Sequence, residues 1–443
     1  MARASGSRGI GLTGAGGNND PAVALPQAVP SRVLLPLGLA VCLSLFGDLS
    51  LYASLVTQLE VVGLSLSALG IMLSVHRLIR IPGNPLAGVL LDRYGRRRPF
   101  ILGMMLATLS TAGYGLVRGF WPFLLSRLAW GLAWMLIHVG GLAMVLDIST
   151  PTNRGRLTGV YNGWMLLGLA LGPLAGGVLV DLLGFRPAML TCAGFTAIGL
   201  AIAIVALPET APSQDWKGQS RSQRKPGLHR HLGSPRLEKV RTYLSASPGL
   251  GIAASLYLIT QFAGEGVALS TASLLLQRRF GDSVALGNLT LRLASAGGAL
   301  LALRSLLAGA VGPLFGHWSD RLLGRWAVIQ SSLLIGVLGF GLLFFATSLS
   351  AIVLGILLGA VSAGAALAVL AAHIGDVTPS GRQGAVMGFY AAAGDIGSTA
   401  GPLLAFALLS FVELQWVYLI CAFIFLVGLW LSRHGHKTQL TRE

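Results

Sequence analysis

Gly88-Val-Leu-Leu-Asp92-Arg93-Tyr-Gly95-Arg96-Arg97-Arg98 lies between two long apolar runs, and a worn copy, Gly316-His-Trp-Ser-Asp320-Arg321-Leu-Leu-Gly324-Arg325, lies between two others in the second half of the chain. A basic, glycine-punctuated turn flanked by apolar runs reads as a connection at a membrane surface. Its recurrence predicts one membrane-embedded unit used twice.

Of the 443 residues 54% are hydrophobic and 11% charged, which leaves too few polar side chains to cover a water-soluble globule. A transmembrane helix needs roughly 20 mainly apolar residues to cross about 30 Å of hydrocarbon. Twelve such runs are present, near 32–57, 64–90, 99–117, 121–146, 157–181, 187–207, 248–276, 292–315, 327–346, 350–374, 384–411 and 415–432. A membrane β-barrel shows alternating segments of about 10 residues instead, whereas these runs are continuous and rich in Leu, Ala and Gly. The expected fold is therefore all-α, with twelve transmembrane helices.

The net charge of +16 raises the question of nucleic acid binding, but the basic residues form no patch. With the first residues cytoplasmic, the tails and the even-numbered connections hold most of them, while the opposite side keeps Arg118, Arg186, Arg278, Arg279 and Arg292. That asymmetry follows the positive-inside rule and predicts both termini in the cytoplasm, in a plasma or bacterial inner membrane, without a nucleic acid partner. Residues 1–31, rich in Gly, Ala, Ser and Pro, read as a disordered tail rather than a signal peptide. Residues 208–247 are polar, basic and punctuated by Pro208, Pro212, Pro226 and Pro235, and read as a linker dividing a bundle over 32–207 from a second over 248–432. Residues 433–443 form a second tail. Cys42, Cys192 and Cys421 all fall in apolar runs, without the spacing of a disulfide framework or a metal site, and read as small core residues.

The repeat has a register. Asp147, Gly155, Gly159, Tyr161, Gly168, Gly172 and Pro173 each recur 229 positions later, as Asp376, Gly384, Gly388, Tyr390, Gly397, Gly401 and Pro402. Asp92 and Arg93 recur at Asp320 and Arg321 with an offset of 228, and Gly95 at Gly324 with 229. Six helices separate the copies, so both begin on the same side of the membrane and are expected to be related by a pseudo-two-fold axis along its normal.

With Gly88, Asp92, Arg93, Gly95, Arg96 and Arg97 in place after the second run, the chain resembles the major facilitator superfamily over nearly all of residues 32–432. Gly159, Gly168, Gly172, Pro173, Gly176 and Gly177 fit a G-x8-G-x3-G-P-x2-G-G spacing similar to the motif of its drug:proton antiporter branch. Arg127 and Gly131 resemble that branch's R-x3-G, and Pro208-Glu209-Thr210 resembles the P-E-T that often ends the sixth helix. The resemblance implies that the loop at Asp92 and Arg93, with its copy at Asp320, Arg321 and Arg325, latches the two halves together on the cytoplasmic side when the cavity faces outward. A basic loop that merely fixes topology is the plainer reading. The glycines permit close helix approach, and Pro173 interrupts a backbone hydrogen bond; the same reading extends to Gly397, Gly401 and Pro402.

Ionisable groups inside apolar runs are costly and default to functional hypotheses. Asp48 lies about 16 residues into the first run, roughly 24 Å from its cytoplasmic end, and Arg127 about 6 residues into the fourth from the other side, roughly 9 Å. The depths nearly coincide, so an ion pair is expected, serving either proton coupling or structure alone. Glu265 is placed as the counterpart of Asp48 in the second half. Asp395 is a third carboxylate near the midplane, which its neighbours Gly394, Gly397, Ser398 and Thr399 are able to satisfy locally. Arg77, Arg80 and Arg304 either snorkel or meet carboxylates across the interface between halves; Arg304 stands where His76 stands in the first half. His138 and His373 read as hydrogen-bonded core histidines, and Trp130, Trp134 and Trp164 as packing residues.

There is no phosphate-cradling G-x4-G-K-[ST] and no His/Cys/Asp cluster at metal spacing, so neither an enzyme, a metal nor a cofactor is expected. The function implied is secondary active transport of a small molecule by a monomer. Proton-coupled efflux is the first reading; uptake symport or organic-anion exchange is the alternative; a non-transporting receptor ranks last, because it has no need of matched intramembrane carboxylates.

Overall fold

A computed structural model describes residues 30–150, 152–211, 248–378 and 383–440. The tail before residue 30, most of the 208–247 linker and the last three residues lie outside the described residues. Among the described residues, eleven helical stretches are long and apolar enough to cross a membrane, and a broken pair supplies a twelfth span. The first span joins α1 (Pro30–Ser54), a 3-10 turn (Leu55–Gln58) and α2 (Leu59–Val62). The second is split at Ile79 into α3 (Leu66–Leu78) and α4 (Arg80–Tyr94). Its sequence explains the break, since Pro82 and Pro85 withdraw the N–H groups that the carbonyls of Leu78 and Ile81 require. α5 (Arg97–Leu116), α6 (Phe120–Asp147), α7 (Arg154–Leu183) and α8 (Phe185–Ala206) complete the first half.

The seventh span is α9 (Pro248–Gln261), a π-helical segment (Phe262–Ala268) and α10 (Leu269–Phe280). It is followed by α11 (Leu293–Arg321), α12 (Arg325–Phe345), α13 (Leu349–Val377), α14 (Gln383–Leu408) and α15 (Leu414–Leu440). Besides the broken second span and the π-helical segment, two further features depart from the sequence reading. A short antiparallel hairpin, β1 (Ser283–Leu286) with β2 (Leu289–Arg292), occupies the connection before α11; Gly287, with φ of 59°, allows the tight turn. The final helix also runs past residue 432, where the apolar run ends, to Leu440. Among the described residues the fold is all-α apart from this hairpin.

Large apolar side chains such as Leu182, Val205 and Phe411 point outward and are highly exposed, as befits a chain whose outer solvent is lipid rather than water. Inside each half, glycines set the helix spacing. A Cβ on Gly168 would lie 2.9 Å from the carbonyl oxygen of Cys42, and one on Gly172 3.1 Å from that of Leu45, so α7 rides directly on α1. In the second half, Gly401 abuts Gly266, and Gly397 abuts the Leu258 carbonyl, so α14 rides on the seventh span. Cys42, Cys192 and Cys421 are free and buried.

Between halves, α7 meets α11 and α3 meets α14. Gly177 and Pro173 pack on Ala294 and Gly298, and Gly70 packs on Pro402 and Phe406. The Asp181 carboxylate, from α7, accepts the backbone N–H of Ser295 at 2.7 Å and its hydroxyl at 2.5 Å, so one half caps a helix of the other. Arg292 adds a bond to the Asp181 carbonyl, and the Ser273 hydroxyl donates to the Tyr52 carbonyl at 3.0 Å. These contacts lie at the midplane or on the hairpin side. Toward the opposite ends of α7, α11 and α14, Gly155, Gly159, Gly163, Gly316 and Gly388 have open space where a Cβ would stand. The contacts between the halves named above thus seal the hairpin side.

Candidate functional site

Asp48 and Arg127 meet. The Arg127 Nη1 bonds the Asp48 carboxylate, and the two side chains are 0% and 7% exposed. The rest of the guanidinium is equally engaged: Nε donates to the Met72 carbonyl at 2.6 Å, Nη2 lies 2.6 Å from His76 Nδ1, and Nη1 is 3.3 Å from the Tyr114 hydroxyl. Four spans therefore converge on one buried cation. A charge this deep is tolerable only where paired and fully hydrogen-bonded.

Glu265 meets Arg304 at 2.7 Å, and the same guanidinium donates to the Gly264 carbonyl at 2.9 Å. The π-helical turn accounts for the second bond: the Leu269 N–H reaches back five residues to Gly264, which widens the helix and turns that carbonyl toward α11. Unlike Asp48, the Glu265 side chain is 32% exposed. The halves thus hold equivalent carboxylates but draw their cations from different helices. Arg304 stands at the position of His76, and the position equivalent to Arg127 is the buried Ile356.

Asp395 is reached across the interface by Arg80, at 3.2 Å. Local satisfaction, the sequence expectation, is not what is seen. The Ser398 and Thr399 hydroxyls donate to the Asp395 main-chain carbonyl, at 3.2 and 2.6 Å, and leave its carboxylate to Arg80. Among the described residues, His138 Nδ1 and His373 Nε2 have no hydrogen-bond partner. His138 stacks on Trp134, which stacks on Trp130, and Trp164 packs against Gly38.

At the far end of each half the repeated loop forms the same charged cluster. Arg96 bonds Asp92 at 2.8 Å and Asp147 at 3.1 Å; Arg325 bonds Asp320, and Asp376 at 2.9 Å. Burial opposes the charge of Arg96, but its bonds to the two aspartates prevail and raise its pKa above the ordinary arginine value. Gly95 and Gly324 have φ of 86° and 77°, a conformation that suits glycine and turns the chain sharply into the next helix. Arg93 lies over the Tyr94 ring at 5.4 Å, Arg97 donates to the Ile204 carbonyl, and Arg321 is exposed. A Cβ on Gly88 would meet open space, whereas Gly176 lies against Ser50.

Sequence reasoning assigned no role to Asp147, Asp376 or Glu209. The first two stood in the repeat register, which is the signal that marks them. The Glu209 carboxylate accepts the backbone N–H groups of Arg96 and Arg97 at 2.8 and 3.2 Å, neutralising the exposed N–H groups at the start of α5. Among the described residues no group of three or more His, Cys, Asp or Glu side chains is placed to hold a metal ion.

Two six-helix repeats with charged residues paired inside them define a polytopic membrane protein. The chain belongs to the Major Facilitator Superfamily, whose signature matches residues 37–303 and 293–443. It is 28% identical over 159 residues to Multidrug resistance protein 1 of Bacillus subtilis, a match covering 35% of this chain and 41% of that one. Matches to curated relatives thus span well under two thirds of their length. Its fold resembles that of a bacterial homologue of the human lysosomal transporter Spinster in an inward-facing and occupied conformation, with a TM-score of 0.74 at 15% identity over 93% of this chain and 97% of that one. It also resembles the human organic anion transporter MFSD10 (TETRAN), with a TM-score of 0.62 at 24% identity over 91% and 100%.

Proposed function

We propose that the protein is a proton-coupled transporter that exports a small molecule by alternating access. The observation that carries this reading is the pair of intramembrane carboxylates in equivalent positions, Asp48 and Glu265, each held by one arginine. An ion pair between helices is a two-state element: a proton on the carboxylate removes the attraction and frees the guanidinium. Unequal exposure suits the scheme. Glu265 is open to exchange in this conformation, while Asp48 is closed off. The name of the Bacillus subtilis relative, a multidrug resistance protein, supports export.

Uptake symport or organic-anion exchange is the second reading, favoured by the four midplane arginines, Arg77, Arg80, Arg127 and Arg304, that face three carboxylates, and by the name of the human structural neighbour. In either case the protein acts as a monomer in a plasma or bacterial inner membrane with both termini cytoplasmic, so that this conformation faces inward; a Ser220→Cys label should then be inaccessible from outside intact cells. The deciding experiment is a dye and metabolite screen in proteoliposomes with an imposed pH gradient. Accumulation that follows the gradient and collapses with an uncoupler supports proton coupling, and accumulation indifferent to the gradient removes it.

A further inference from the structure

Of the four arginines near the midplane, three are matched to carboxylates: Arg127 to Asp48, Arg304 to Glu265, and Arg80 to Asp395. Arg77 is not. Its recorded partner is a neutral one, the Tyr52 hydroxyl at 3.4 Å, and no described carboxylate lies within ion-pair distance. We propose that Arg77 anchors the charged group of the transported molecule, and that this group is an oxyanion, a carboxylate in the first instance, carried on an organic body. The proposal rests on the transport reading above and adds the class of its substrate.

Three observations place this cation in the path between the halves rather than in the packing of one of them. Arg77 and Arg80 flank the break at Ile79, whose backbone stays right-handed helical at φ −67° and ψ −22°, so the two face nearly the same way, and Arg80 reaches Asp395 of the opposite half. Arg77 is half-buried, in contrast to His76 beside it, which is buried against Arg127. Glu265 and Asp48 both lie within electrostatic reach of Arg77, and Tyr257 lies within reach of Arg80, Asp395 and Glu265. Arg77, Arg80, Tyr52, Tyr257, Glu265 and Asp395 are therefore gathered within electrostatic reach of one another, with Arg80 and Asp395 meeting from opposite halves.

The repeat shows that Arg77 is no part of the shared scaffold. At its equivalent position, 228 residues on, stands Ser305; Ala308 replaces Arg80, and Leu166 replaces Asp395. In the second copy Leu166 packs on Gly309, an apolar seam where the first copy has an ion pair. Architecture thus asks for neither arginine at this level. An unmatched guanidinium in a membrane interior is costly, and the four midplane arginines, Arg77, Arg80, Arg127 and Arg304, exceed their three carboxylates, Asp48, Glu265 and Asp395, by one positive charge that a single carboxylate cancels. The guanidinium fork suits two parallel bonds to such a group. A monocation meets the opposite situation, with every carboxylate already engaged by an arginine.

The test uses three dansyl probes that differ in charge, dansylglycine (anionic), dansylamide (neutral) and dansylcadaverine (cationic), titrated against the purified full chain in detergent with energy transfer from tryptophan as the signal. The wild type is expected to bind dansylglycine at least tenfold more tightly than dansylcadaverine. Arg77→Gln should weaken dansylglycine at least tenfold while leaving dansylamide unchanged, and Arg77→Lys should restore part of the loss. Wild-type preference for the cation, no preference among the three, no binding of dansylglycine, or full retention of dansylglycine by a folded Arg77→Gln would each overturn the proposal. The wild-type comparison stands even if a variant does not fold. No gradient is involved, so a protein that binds the anion yet ignores pH defeats proton coupling alone, and one that exports dansylcadaverine on a pH gradient without binding dansylglycine defeats the anion site alone.

Discussion

Gly298 packs against the carbonyl oxygen of Pro173, and its repeat counterpart Gly70 packs in the same way against that of Pro402. The glycines are 228 positions apart and the prolines 229, so one contact has been built twice, at α11 on α7 and at α3 on α14. Each glycine admits a neighbouring backbone where any Cβ would intrude, which is how helices without a hydrophobic drive between them gain contact in a membrane. Together these seams form the seal on the hairpin side, so an alternating-access cycle must undo both.

Gly298→Val should therefore open that seal, because its side chain collides with backbone that cannot rotate away. Spin labels at Arg118 and Asp282, one in each half on the hairpin side, should report longer distances in the variant. Gly70→Val is expected to act in the same direction. An unchanged distance distribution in folded Gly298→Val would mean that this seam is not part of the seal.

The Asp181 cap on Ser295 invites a graded version of the same experiment. Losing a helix cap costs about 1 kcal/mol, roughly a fivefold change in an equilibrium where 1.4 kcal/mol is tenfold. Asp181→Ala, which removes both bonds, should shift the same label pair toward the open form by about that factor. Ser295→Ala removes the hydroxyl bond alone and should shift it less. Equal effects of the two variants would argue that the backbone N–H bond contributes nothing.

On the opposite face, Asp92 is engaged with Arg96 in its own half. If the loop latches the halves when this side closes, Asp92→Asn should lower the population of that closed state. Labels at Tyr94 and Leu322 would then report a smaller short-distance fraction than in the wild type. Unaltered distances together with intact transport would leave Asp92 a residue of topology only.

Much of this was legible because a membrane permits few solutions. Lipid obliges every backbone group to bond within its own segment, so apolar length alone placed the spans, and the ionisable residues that survive inside them were conspicuous enough to suggest that Asp48 pairs with Arg127. What escaped was set by contacts the one-dimensional pattern does not carry. The π-helical turn at Glu265 leaves no composition signal, since Phe262–Ala268 reads as ordinary helix. Asp395 looked locally satisfied by its hydroxyl neighbours, but helical geometry directs those hydroxyls to a main-chain carbonyl, and the carboxylate turned to Arg80 315 residues away. The sequence reading ran 64–90 as one helix although Pro82 and Pro85 carry the signal for its break, and it left the hairpin of 283–292 as a plain connection although Gly287-Asn288 stands between the short runs Val284-Ala-Leu286 and Leu289-Thr-Leu291.

The final prediction concerns the coupling itself. Asp48→Asn and Glu265→Gln keep shape and hydrogen-bonding capacity but remove the charge, and so imitate permanently protonated forms. Asp48 is enclosed with Arg127 among the Met72 carbonyl, Tyr114 and His76, so its neutral mimic leaves a buried guanidinium without a counter-charge; a stability loss of about 3–5 kcal/mol is the usual cost of breaking such a pair. Glu265 is partly exposed, and its variant should be milder on stability. If coupling runs through these groups, gradient-driven accumulation should collapse in both variants, while substrate binding or uncoupled exchange persists in at least Glu265→Gln. Proton flux recorded with a pH dye in proteoliposomes separates that outcome from simple misfolding, because an uncoupled carrier still moves substrate down its own gradient. Wild-type accumulation against a gradient in both single variants and in the double variant would make the carboxylates structural and assign the coupling elsewhere.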